Sequence, residues 1–353
     1  MSIDVIPVPS QDTARPGRAG LTPPGSWREP DGHYLTALTS PWYAALLGLQ
    51  STLTAATVSF WTERGLRFGH LPVTTGSVSS PMGLGSDSLP VQVELFGAPT
   101  YLADSMQFGL EFLCRLNPAG AYYLMPSFRG EAPDATHLCQ FFHSEAEIPG
   151  TLDDVIEVTE AYLRHVVAAL VDEHSDTIRE AAGGLDHVEV LLAGRAPFRR
   201  ITFEEAVAEL GDDPEYLVTE DGWRTLTRAG ERELMCRLGE FVWVTHWDQL
   251  AVPFYQRRDE QGRAFNADLL FGPGEVVGAG ERHIDGPEVL AALRTHEVDP
   301  AEYAWYVEMK SRVPLLTSGF GLGVERFFMW LLRQSDIRDF ALLPRVNGRT
   351  ILP

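Results

Sequence analysis

Apolar side chains at Trp42, Leu46, Leu49, Leu53, Ala56, Phe60 and Trp61 recur at helical spacing, and Gly65 follows where a left-handed C-terminal cap belongs. The pattern predicts a long amphipathic helix over 42–64. Between 66 and 128 the period shortens to β-like runs at 91–96 and 121–128, set off by Gly, Pro and Ser as strands and hairpins are. A second helical stripe, from Val155 through Tyr162 and Val166 to Leu170, covers 153–173. Residues 185–240 read as smaller mixed elements; strand patterns then return at 241–247, 266–271 and 275–284, and a closing helix begins at Val324. Strands and helices do not alternate strictly, so the pattern predicts an α+β fold around a mainly antiparallel sheet. Residues 1–40 carry Pro7, Pro9, Pro16, Pro23, Pro24 and Pro30 without an apolar period, and read as an arm or linker ahead of one domain over 41–353.

With 44% apolar and 22% charged residues, a chain of 353 residues can bury a large core, which excludes a disordered or fibrous protein. No run reaches the roughly 18 apolar residues of a membrane span, and the opening residues lack the order of a secretory signal, so the expected address is cytoplasmic, away from membranes. Cys114, Cys139 and Cys236 are scattered and odd in number, and are expected to be buried thiols, not a disulfide or zinc framework. Lys and Arg total 28 against 49 Asp and Glu; the net charge of −21 opposes the counterion release that drives nucleic-acid binding, which disfavours polyanion partners, RNA among them.

Chemistry concentrates in two segments. The first is Phe128-Arg129-Gly130-Glu131 followed by His137-Leu138-Cys139-Gln140-Phe141-Phe142-His143-Ser144-Glu145. Alone, its Arg and Glu could be a solvated pair at a strand end. The second is Thr317-Ser318-Gly319-Phe320-Gly321-Leu322-Gly323-Val324-Glu325-Arg326, glycines that enter a helix bearing an arginine. It lacks the full spacing of a dinucleotide fingerprint, and its glycines could equally permit close packing.

Together and in this order the segments resemble motifs 2 and 3 of the class II aminoacyl-tRNA synthetases, in the asparaginyl and aspartyl subgroup. The likeness runs over 42–353 and includes further matches at 101–107, 268–270, 274–282 and 337–345. It implies the class II synthetase fold, an antiparallel sheet flanked by helices, and a two-fold dimer built on the long helix. The implied reaction is attack of an amino-acid carboxylate on the α-phosphate of ATP, with Mg²⁺, to give an acyl-adenylate. By position, Arg129 would hold the α-phosphate and substrate carboxylate and Arg326 the γ-phosphate, both as catalytic groups. Glu131 would accept from the adenine amino group, Phe141 would stack on the ring, and His137 would join the ATP site. Glu275 and Asp268 would supply hard oxygen ligands to Mg²⁺. With a four-residue hairpin loop over 271–274, residues 268, 270, 275 and 277 would share a sheet face. Ser105, Gln107 and Glu145 match positions that hold the substrate ammonium, Arg282 the arginine on an aspartate or asparagine side chain, and Glu111 a glutamate that accepts from the amide.

Departures refine the expectation. Leu110 stands where the aspartate enzymes have lysine, Thr136 precedes His137 where an arginine is usual, and Gly280 replaces a serine. Residues 1–40 are expected to be too short and too Pro-rich for the anticodon-reading barrel of the tRNA ligases. The resemblance is therefore greatest to the stand-alone asparagine synthetases related to asparaginyl-tRNA synthetase. The expected protein is an AMP-forming ligase that activates aspartate or a close analogue and passes it to ammonia or a small amine. A truncated tRNA ligase and an inactive adenylate-binding relative are the alternatives.

Overall fold

The computed structural model describes residues 21–80, 88–194 and 196–352. Helix α1 runs over Pro41–Glu63, with Pro41 in the first turn, where a missing N–H costs nothing. Gly65 sits just beyond it at φ 81°, the left-handed conformation that a side chain would resist. Helix α2 is Gln107–Cys114, and α3, Leu152–Ala182, starts in a capping box formed by Thr151 and Asp154. The sequence pattern stops α3 near residue 173; the helix continues past a kink at His174 and ends at Gly183. Its extra turns carry Ile178 into the core, where a single buried residue leaves too short a stripe to read.

Eight described strands form the main sheet: β1 Arg67–Phe68, β2 Ala121–Phe128, β3 Gln140–Pro149, β4 Arg199–Thr202, β5 Val242–Thr245, β6 Asn266–Phe271, β7 Gly274–Glu281 and β8 Thr317–Gly323. Their order is β1-β2-β3-β8-β7-β6-β5-β4. Pairing is antiparallel from β2 to β5 and parallel only at the two edges. Tyr122, Ala146, Phe320, Leu322, Val277 and Leu269 face α1 and α3 in the principal core, together with Trp42, Leu53, Phe60, Trp61 and Leu163. Burying one such large side chain contributes about 1.5–3 kcal/mol. The opposite sheet face is only partly covered, and the polar side chains gather in its open part.

Helix α4, Arg228–Leu238, belongs to the mixed elements of 185–240. It packs through Leu234 with Phe203, Leu210 and Leu226 onto Val242, Val244 and Leu270, a smaller core on the other face of β5 and β6. Helices α5, Ala304–Arg312, and α6, Val324–Leu331, complete the frame.

The expected arm is in part folded. Residues 1–20 lie outside the described residues, but His33–Thr39 is helical, His33 is buried against the Leu342 carbonyl, and Trp27 donates to Asp339. The aromatic and histidine contacts are long-range, so no local period announces them. The thiols also depart from expectation, since Cys114 is buried, Cys139 half-buried and Cys236 exposed.

Candidate functional site

The floor of the site is glycine. Gly278 pairs with Gly321 and Gly280 with Gly319 across β7 and β8, while Gly321 and Gly319 lie opposite Glu145 and Glu147 on β3. A Cβ at Gly319 would collide with the Glu147 carboxylate, and one at Gly280 with the Gln256 amide. The glycines therefore serve close approach, leaving acidic and amide side chains to lie flat across the sheet. The period of two along β3 puts Phe141, His143, Glu145 and Glu147 on this face, and β2 brings Tyr123 beside Glu145.

Two adjoining cavities open here. The first, about 300 Å³, is lined by Ser105, Gln107, Glu145, Arg282, Asp104, Tyr255 and Gln256, with Arg129, Asp268 and Glu275 at its far side. Glu145 accepts from Ser105 Oγ at 2.6 Å and from Tyr123 OH, and faces His143 Nδ1 at 3.1 Å. Burial pushes its carboxyl up to about 7 despite those donors. Arg282 is itself buried and held by Glu147, with Nη2 to Oε2 at 3.1 Å, and by Gln256 Oε1 at 3.2 Å.

The second cavity, about 450 Å³, is lined by Arg129, His137, Phe141, Arg326, Glu275, Arg228 and Glu231. Arg129, His143 and Glu275 belong to both walls. The Arg129 guanidinium lies 5.6 Å from the Phe141 ring centroid, and its Nε is buried with no partner among the described residues. Arg326, in the first turn of α6, donates to the Glu275 carbonyl at 2.9 Å. Burial, then Arg129 and Arg326, drive the His143 imidazole down to about 3, so it stands neutral between the two cations.

Asp268 and Glu275 come together over Gly278, whose added Cβ would lie 3.2 Å from Glu275 Oε1 and 3.7 Å from Asp268 Oδ1. The expected register needs one correction. The hairpin pairs Leu270 with Glu275 and Asp268 with Gly278, with an irregularity between Leu269 and Leu270, so Gly278 and not Val277 shares the acidic face. A bulge changes strand parity, and no local sequence signal marked it. Burial raises the Asp268 carboxyl well above its ordinary range, and neighbouring Glu275 and Glu231 raise it further. Like charges in an all-oxygen set suit a hard divalent cation. Among the described residues no cluster of three or more His, Cys, Asp or Glu is arranged to hold a metal. The pair offers two oxygen ligands, the donor type that Mg²⁺ takes.

Two expected site residues are off both walls. Glu111 is buried behind the first cavity, bonded to Lys310 Nζ at 2.5 Å and Tyr306 OH at 2.6 Å. An ammonium and a phenol already occupy the carboxylate that was to accept a substrate amide. Glu131 Oε1 accepts from Leu89 N at 2.7 Å, while its Oε2 is buried with no described partner. Ser105, Gln107, Glu145, Arg282, Arg129, Asp268, Glu275, His137, Phe141 and Arg326 do converge. Reading the sequence missed His143, which the two-residue period from Phe141 to Glu145 could have placed. It also missed Gln256, Arg228 and Glu231, which come from loops and α4 without a local signal.

Residues 30–347 match the family of class II tRNA synthetases (D, K and N), and the chain belongs to that family. It is accordingly an ATP-dependent ligase that works through an aminoacyl-adenylate, on the α+β class II fold. Among its relatives, an asparagine–tRNA ligase of Thermoplasma acidophilum is 28% identical over 89% of this chain and 72% of the relative. A probable cytoplasmic asparagine–tRNA ligase of Encephalitozoon cuniculi is 31% identical over 73% of this chain and 58% of its own length. The asparaginyl-tRNA synthetase of Pyrococcus horikoshii, solved with asparaginyl-adenylate, superposes with a TM-score of 0.82 at 25% identity, covering 91% of this chain and 73% of that one. No described helix is long and apolar enough to cross a membrane.

Proposed function

We propose that this enzyme adenylates asparagine in preference to aspartate and transfers the asparaginyl group to ammonia or a small amine. The carrying observation is the charge balance around Arg282. Its guanidinium faces the first cavity but is already neutralised by Glu147. Leu110 is apolar, and the Lys310 ammonium is held behind the wall by Glu111 and the His283 carbonyl. A carboxamide oxygen can take a remaining N–H of Arg282, whereas the full charge of a second carboxylate would be desolvated without a cation of its own. This moves the expected substrate from aspartate towards asparagine.

The substrate ammonium would lie against Glu145, Ser105 and Gln107, which leaves its carboxylate facing Arg129 on the shared wall. ATP would occupy the second cavity, with Phe141 against adenine and the buried Oε2 of Glu131 as an acceptor for an amino group at the edge. Asp268 and Glu275 would hold Mg²⁺, which neutralises phosphate charge when bound. A carboxylate oxygen then bonds to the α-phosphorus as pyrophosphate leaves. The acceptor nitrogen next bonds to the acyl carbon, and AMP departs with the electron pair of the broken C–O bond. Because His143 is neutral, it adds no third positive charge beside Arg129 and Arg326.

The net charge of −21 supports a small acceptor over RNA. A second reading, tRNA as acceptor, is favoured by the names of the relatives. Pyrophosphate exchange with each amino acid, followed by AMP release with ammonia and amines in the absence of RNA, tests both steps. Exchange with asparagine well above that with aspartate is expected. A reversed preference removes the substrate assignment, and AMP release only on addition of tRNA removes the amine acceptor.

A further inference from the structure

The second cavity carries a cation that neither the motifs nor the family match assign. Arg228 opens α4 and lines the wall with Arg129, Arg326 and His137. Its hydrogen-bond partners among the described residues are the Thr136 hydroxyl and the His137 ring, whose Nδ1 and Nε2 lie 2.8 and 3.0 Å from Nη2 and of which only one accepts at a time. Neither partner cancels its charge. Burial and the guanidinium groups of Arg326 and Arg228 hold His137 below its ordinary range, against the opposing pull of the Asp134 carboxylate 3.2 Å from Nδ1. Glu231, in the same first turn, reaches towards Glu275, whose N–H it accepts at 3.2 Å. The first turn of α4 also points the positive end of its helix dipole at the wall, with Thr227 as a lining residue.

We propose that Arg228 is a binding residue for the terminal phosphates of ATP, delivered to the nucleotide from outside the two sequence motifs. Arg129 lies at the junction with the amino-acid cavity and is committed to the reacting end. Arg326 is tethered to the Glu275 carbonyl. A triphosphate tail brings about four negative charges; two arginines offset about two of them, and a Mg²⁺ whose charge is already shared with Asp268 and Glu275 does not make up the rest. Arg228 supplies the third guanidinium, a fork whose present partners, a hydroxyl and an imidazole, can yield to phosphate oxygens. Docking α4 on β5 and β6 is therefore coupled to nucleotide binding.

The inference rests on the assignment of ATP to the second cavity, and the measurements separate the two. Wild-type full-length protein without amino-acid-dependent pyrophosphate exchange would defeat that assignment itself. If wild type exchanges, Arg228→Ala is expected to raise the KM for ATP and for pyrophosphate by about tenfold to a hundredfold. The KM for the amino acid and the affinity for AMP, which lacks the terminal phosphates, should stay within about twofold by the same argument from contacts. Arg228→Lys should lie between the two, retaining charge without the fork. Thr136→Arg in the Arg228→Ala background should lower the ATP KM again, because position 136 borders the same space. An unchanged ATP KM in Arg228→Ala overturns the proposal. So does an AMP affinity that falls in step with that for ATP, the signature of a site that has merely lost its shape.

Discussion

Glu145 pays for its function in stability. Its carboxyl, ordinarily near 4.5, is pushed up to about 7 by burial, so the folded protein holds this proton more tightly than the unfolded chain. The contribution to stability is present below pH 4.5 and is lost as pH rises through about 7. Glu145→Gln keeps an acceptor for Ser105 and Tyr123 without the charge, and should stabilise the protein above pH 7 by up to about 3 kcal/mol. Thermal unfolding with and without the substitution measures this. The same variant should lose amino-acid binding, since the ammonium then faces a neutral amide; wild-type affinity should weaken as pH falls below about 7 and Glu145 protonates. For Arg129→Ala and Arg326→Ala, each expected to strip a phosphate contact, exchange should fall at least about a hundredfold, roughly 3 kcal/mol of transition-state stabilisation. Unchanged turnover in both variants would remove the roles given to them.

At the scale of elements, the buried network behind the first cavity joins α2 to α5 and braces β7. Glu111 of α2 pairs with Lys310 of α5, and the Lys310 ammonium donates to the His283 carbonyl just beyond β7, next to Arg282. Removing either charge alone leaves the other buried and unpaired, so Lys310→Met or Glu111→Leu should cost about 3–5 kcal/mol. The double variant should recover most of that loss, because an apolar pair restores packing without stranding a charge. Denaturant titration of the two single variants and the double completes the cycle. Strand positions were legible from period and punctuation: the expected run at 121–128 is β2 itself. The turn between β6 and β7 was also legible, but its bulge was not, since one extra residue changes facing without altering composition. Residues 21–40 were misread for a different reason: their order comes from Trp27 and His33 meeting Asp339 and Leu342 far along the chain.

For the whole molecule, two cavities sharing Arg129, His143 and Glu275 open on one continuous glycine floor, where the proposed function sets an amino acid beside a nucleotide. Leu35, Leu38, Leu47 and Val58 are exposed on and beside α1; if the dimer expected from the sequence forms, sedimentation equilibrium should give twice the mass of one 39.1 kDa chain, and a monomer across the micromolar range would exclude it. By itself the sequence determined the class of fold, the two long helices, the principal strands and most of the residues that line the two cavities, because those depend on local period and on motifs contiguous in the chain. Tertiary structure alone decided that Glu111 faces Lys310, that Glu131 meets Leu89, and that Arg228, Gln256 and Glu231 arrive at the cavities from distant segments. Charge pairing across the fold has no period: a buried carboxylate goes to whichever cation the packing brings within reach, and that choice is made only when the elements dock.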